Sequence, residues 1–243
     1  MNATAIRAQT RVELAMTLRR GESLLVTMVI PLGILVFFAK VDAVTVSSGD
    51  PLDFLVPGVL ALAVMSSAMV SLGIATGFER RYGVLKRLGS TPLSRRGLLA
   101  AKTITVLVVE VIQAVLIVGT GIALGWEPSA GVFTAIVLLL IGTVAFAGIG
   151  MLMAGTLRAE ANLALANGLF LVLLFLGGMA YPLDRLPDAL EAIARLLPAA
   201  ALAECVRGVL EPGGSVPAGE LLVLLVWAVG APLVAARYFT WED

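Results

Sequence analysis

Histidine is absent from this 243-residue chain, and there is a single cysteine, Cys205. The first absence removes the commonest metal ligand and the commonest acid–base group near neutral pH. The second excludes an intramolecular disulfide and a thiolate metal cluster. Charge is scarce as well: 14% of residues are Asp, Glu, Lys or Arg, against about 25% in a soluble domain. The 17 basic and 17 acidic residues cancel, so nothing indicates a nucleic-acid partner. Hydrophobic residues fill the chain instead, at 59%. This is the composition of a polytopic membrane protein. The expected fold is all-α, a single transmembrane domain over residues 1–243, because a helix satisfies its own backbone in lipid.

Enzyme signatures are missing too. No GxSxG, HExxH, CxxC or paired-acid motif occurs. The fragment Gly97 to Thr103 ends in Lys102-Thr103 like a phosphate-binding loop, but that loop needs glycine where Arg96 and Ala101 stand. No cofactor is expected to bind directly. Any dependence on ATP and Mg must come through a partner.

Residues 4–22 interleave Arg7, Arg11, Arg19 and Arg20 with Ile6, Val12, Leu14, Met16 and Leu18. This suits an interfacial amphipathic helix on the cytoplasmic leaflet; the plainer alternative is a basic tail that only sets topology. Met1 to Arg20 lacks the apolar core of a signal peptide, so the first apolar run is expected to be the first insertion signal. A crossing takes about 20 residues. Six runs qualify: 23–39 (with Pro31 mid-span), 54–78, 103–124, 131–157, 161–181 and 218–236. With the N-terminus inside, the cytoplasmic segments carry 13 Lys and Arg and the outer loops four, while nine of the 17 acids lie in the outer loops and a tenth, Glu220, at the outer mouth of the last span. That asymmetry puts both termini in the cytoplasm.

The outer segment 182–217 reads as a helical hairpin too short to span and too apolar to stand free in water. Pro187 suits a first helical turn, with Ala189, Ile193, Leu196 and Leu197 as an apolar stripe. Pro198 breaks the first helix, and Glu211-Pro-Gly-Gly ends the second. Small residues crowd the spans, including Gly73, Gly77, Gly121, Gly125, Gly142, Gly148 and Gly150. Close helix packing is their default meaning, and a gating hinge the sharper one.

Glu110 is the one acid deep in a span. An intramembrane carboxylate suggests a cation or proton path; a structural hydrogen bond, for instance to Gln113, is the alternative. Asn162 and Asn167 carry the same two readings. Cys205, among Ala, Leu and Val, reads as a small buried hydrophobe.

The densest signal is the stretch from Phe78 to Lys102, which holds seven of the 17 basic residues between two apolar runs. Phe78, Tyr82, Leu85 and Leu88 fall at helical spacing. Thr91-Pro92 ends that helix, and Ser94 stands where a cap for the third span belongs. The segment 79–96 therefore reads as a cytoplasmic docking helix and turn, with Arg80, Arg81, Lys86 and Arg87 offered to acids on a partner.

The run Glu79-Arg-Arg-Tyr-Gly-Val-Leu-Lys-Arg-Leu-Gly-Ser-Thr-Pro-Leu-Ser, followed by Lys102, resembles the signature region of ABC type-2 exporter permeases, the group with drug-resistance and daunorubicin-type efflux permeases. Glu79, Gly83, Leu85, Leu88, Thr91, Pro92 and Lys102 carry the match; Ala101 stands where relatives often have glycine. The resemblance implies that this stretch is a coupling helix seated in a separate ABC ATPase subunit. It implies two ATPase copies, a second permease copy or a related permease, surrounding lipid and a bacterial cytoplasmic membrane. It also implies alternating access for a hydrophobic drug-like or lipid-like substrate, with the outer hairpin, marked by Pro182, Pro187 and Pro198, as an external gate. Two readings compete: a membrane scaffold or sensor docking a cytoplasmic partner, and a proton-coupled transporter using Glu110.

Overall fold

The computed structural model describes residues 3–19, 21–41, 51–89, 95–128, 131–179, 182–211 and 213–240; within these, side chains are described except at 3, 18, 21–26, 88, 89 and 95–99. It is all-helical among the described residues. In chain order the helices are α1 (Ala3–Arg19), α2 (Gly21–Val41), α3 (Pro51–Val64), a π-helical segment (Met65–Ser71), α4 (Leu72–Arg81), α5 (Val84–Gly89) and α6 (Arg95–Ala123). Then follow α7 (Val132–Thr156), α8 (Ala159–Leu176), a 3-10 turn (Leu183–Arg185), α9 (Asp188–Ala194), α10 (Pro198–Leu210) and α11 (Ala218–Tyr238).

Five of these are long and apolar enough to cross a membrane: Pro51–Arg81 as one continuous rod, Ala100–Ala123, Val132–Thr156, Ala159–Leu176 and Ala218–Tyr238. The expected first span corresponds to α2, whose apolar stretch Thr27–Val41 is shorter. The rod Pro51–Arg81 runs through the middle. Its most apolar window is 83% buried, against 17% for α11, so one span is enclosed by the other helices and the other is largely exposed. Side chains such as Leu55, Leu62, Met65 and Met69 of the rod meet Phe146 of α7 and Leu202 of α10 in the core.

Small residues let these helices touch. A Cβ on Gly150 would lie 2.6 Å from the Met69 carbonyl oxygen, and one on Gly73 would lie 3.0 Å from the Gly150 oxygen. The rod and α7 therefore meet backbone to backbone, the packing role expected of these glycines.

The short helices at the far end also match expectation in position, with one correction. Pro198 does more than end a helix: it occupies the first turn of α10, where its missing N–H costs nothing. α10 packs against α3, α7 and α11 and is buried from Pro198 through Leu202 and again at Cys205 to Arg207. The expected stripe on the first short helix is not the buried face: Ala189, Ile193 and Leu196 are exposed and Leu197 is half-buried, while Ala194, outside the stripe, is buried.

Candidate functional site

One end of the bundle gathers α1, the last turn of α4, α5, the start of α6 and the junction of α7 with α8. It is the basic end. Here the sequence suggests one helix running through Phe78, Tyr82, Leu85 and Leu88, and the structure corrects this. α4 stops at Arg81, and the chain turns at Tyr82-Gly83 before α5 begins at Val84. Gly83 has φ +68°, a left-handed conformation that glycine adopts without a Cβ clash. Phe78 and Tyr82 stack with ring centroids 6.1 Å apart, which closes the turn from the α4 side.

The break sorts the candidate docking residues into two groups. Glu79, Arg80 and Leu85 turn into the protein. Leu85 is 2% exposed, so it anchors α5 rather than meeting a partner, contrary to the expected docking contact. Glu79 pairs with Lys102 of α6 at 2.6 Å. Arg80 is buried; it donates to the Leu157 carbonyl at the end of α7 (2.7 Å) and to the Thr240 hydroxyl beyond α11 (3.2 Å). The second group faces outward. Tyr82 is 66% exposed, and Val84, Lys86 and Arg87 are exposed with it. Arg81 is exposed and pairs with Glu160 at the start of α8. The Leu88 side chain, and Thr91 and Pro92 altogether, lie outside the described set.

Beside this end a cleft of about 1100 Å³ opens between α1, α2, α4 and α8. Val12 and Met16 of α1, Pro31 of α2, Phe78 of α4, and Asn167 and Phe170 of α8 form its walls. The surface is mainly apolar with scattered polar groups, the usual character of a small-molecule site.

The four candidate path residues separate cleanly. Only Asn167 lines the cleft; its amide also donates to its own helix at Leu163. Gln113 is 1% exposed. It accepts from Ser67 of the π segment at 2.8 Å and donates to the Thr27 carbonyl of α2 at 3.0 Å, pinning three helices together. Asn162 is fully buried and donates to the Gly73 carbonyl at 2.8 Å. Glu110 is bonded to the Thr143 hydroxyl of α7 at 2.7 Å. Gln113, Asn162 and Glu110 thus each make an interhelical hydrogen bond.

Sequence reasoning passed over Glu13 and Arg207. Glu13 is the lone acid among the arginines of α1; it is buried and pairs with Lys102 at 3.2 Å. That lone acid was the available signal. At the opposite end Arg207, counted as an outer-loop charge, is buried on the inner face of α10. Pro182 caps the 3-10 turn, Pro187 caps α9, and Pro198 starts α10. Among the described residues, no three His, Cys, Asp or Glu side chains gather to hold a metal ion.

Residues 4–210, from α1 to the end of α10, match the profile of the ABC-2 type transporter family. The chain belongs to this family. It is also 24% identical over 230 residues, 91% of each chain, to a Bacillus subtilis (strain 168) protein described as "Putative transport permease YvfS". This ABC-2 type protein is thus a multi-pass transport permease, and membership implies an ABC ATPase partner. The match covers the cleft walls and α5 alike.

Proposed function

We propose that the protein is the membrane-spanning subunit of an ATP-driven exporter, and that α5 is where the partner ATPase seats. The observation that carries this is the outward face of α5 and its turn. Lys86 and Arg87 stand exposed on a short helix whose own core contact, Leu85, is buried, while Tyr82 in the turn and Val84 at the helix start are exposed toward the cleft they line. A helix braced from behind and charged in front suits transmission of force to a rigid body, and its cations suit acids on a partner.

ATP and Mg bind to two ATPase copies and not to this chain. The cleft beside α5 is one half of the substrate route, and a second copy of this chain or a related permease closes it. Its apolar walls select a hydrophobic drug-like or lipid-like substrate. The basic end faces the cytoplasm, with both termini there, in a bacterial cytoplasmic membrane. The segment α9–α10 then lies at the outer face as the gate.

The test is purification of the intact chain from its native membrane, with and without Lys86→Glu and Arg87→Glu together. An ABC ATPase is expected to co-purify with the native chain. The double variant should insert normally but lose at least about tenfold in ATPase recovery, since like-charge contacts across an interface cost several kcal/mol. Recovery of the ATPase at the native level with the double variant would end the docking assignment.

A further inference from the structure

At the basic end, Lys102 sits between two acids. Its side chain is 4% exposed, with Nζ 2.6 Å from Glu79 and 3.2 Å from Glu13. The Gln9 amide donates to the same Glu13 oxygen at 3.0 Å. Removing these charges from water is expensive unless they hold one another, so the three side chains are committed to a common geometry. They come from three elements: α1, the last turn of α4, and α6.

What each acid is attached to differs. Glu79 lies four residues before Gly83, the turn into α5. Glu13 lies on α1 beside Val12 and one turn from Met16, and like both of them it lines the cleft, as Glu79 does from α4. α1 itself packs chiefly on α6. The next residue after Glu79 points elsewhere: Arg80 is fastened to the ends of α7 and α11, which pack against each other along their length. Neighbouring residues at the root of α5 thus grip a tightly paired helix unit on one side and a cleft wall on the other. A push on α5 has a fixed point at Arg80 and a lever arm at Glu79.

We infer that Glu79, Lys102 and Glu13 form a linkage that makes the mouth of the cleft follow α5, with Lys102 as the positioning residue joining the two acids. This rests on the reading that α5 receives the ATPase.

The experiment uses the full chain in complex with the ATPase that co-purifies with it. Met16→Cys places a reporter on the cleft wall, labelled by a charged methanethiosulfonate reagent in the nucleotide-free state and in the ATP-bound state held by vanadate. Cys205 gives no background: it is fully buried, and burial pushes its thiol up to about 12, far from thiolate at assay pH. With the linkage intact, the labelling rate should differ between the two states by about fivefold or more, the usual scale of coupling between sites. Glu13→Met leaves Lys102 paired with Glu79, so the chain should still fold and still recover the ATPase on purification while the ratio of labelling rates collapses to about one. Glu13→Gln, which keeps the side-chain shape, should flatten the ratio in the same direction, and Lys102→Arg should preserve it. A native-size ratio in the Glu13 variants overturns the linkage, as does a ratio near one in the native complex. If no ATPase co-purifies, the proposed function itself falls, which separates the two failures.

Discussion

Two buried arginines hold the two ends of this protein, and they do it differently. Arg80 at the basic end and Arg207 at the opposite end are each under 10% exposed. Each donates to a carbonyl just past the C-terminus of a long helix: Arg80 to Leu157 after α7, Arg207 to Gly178 after α8 at 2.8 Å. A cation is well placed there, where the helix dipole is negative and carbonyls lack partners. Beyond that the surroundings part. Arg207 pairs with Glu204 on its own helix and lies 3.8 Å over the Phe54 ring, inside a short helix enclosed by three others. Arg80 adjoins a glycine turn and an exposed helix. The same device is a fixed lock at one end and a pivot at the other.

This contrast is open to direct attack. Arg207→Met should have the largest effect on stability. It removes the Gly178 bond and the ring contact and leaves Glu204 without its cation, a loss of about 3 kcal/mol, read as a lower thermal midpoint in detergent. Arg80→Met should cost less, about 2 kcal/mol for its two hydrogen bonds, yet it should impair transport per ATP hydrolysed, which Arg207→Met measured below its midpoint should not. Equal stability losses with equal transport would erase the distinction between lock and pivot. Arg195→Ala should be nearly silent. Arg195 bridges Glu191 and Glu220 between α9 and α11, and its hydrogen bond to Glu191 holds its pKa above the ordinary value. The pair is exposed, however, so the change should stay within about 0.5 kcal/mol. A larger loss would make the Glu191–Arg195–Glu220 tether, and not Arg207 alone, a main hold at that end.

Much of the architecture was legible because lipid constrains it so tightly. Spans must be apolar for about 20 residues, so the runs beginning near residues 54, 103, 131, 161 and 218 emerged close to their observed helices. The stop at Glu211-Pro-Gly-Gly and the start at Pro187 likewise bracketed α9 and α10, although Pro198 opens α10 where it was expected only to end the helix before it. Contacts were harder. Periodicity through Phe78, Tyr82, Leu85 and Leu88 looks the same whether or not the helix breaks, and only the positive φ at Gly83 shows that it does. Leu85 read as a docking residue because apolarity beside charge does not say which way a short helix is turned. Gln113 and Asn162 are polar in a span whether they line a path or join helices; only the positions of Ser67, Thr27 and Gly73 decide. Glu13 and Lys102 stand 89 residues apart in sequence, and nothing local links them.

The π-helical segment Met65–Ser71 carries a consequence for everything after it. A π turn takes one residue more than an α turn, and one residue in an α-helix is a rotation of about 100°. The extra residue in the middle of the rod therefore sets the phase of α4. Glu79 faces α6 and Arg80 faces α7 and Thr240 because of an insertion ten residues upstream. Relaxing all seven residues of the segment to α-helix would swing both side chains by about a quarter turn or more off their partners, whereas excising one of them, such as Ala68, would absorb that relaxation and leave Glu79 and Arg80 facing as they do. The orientation of α5 is thus dialled in at the centre of the membrane.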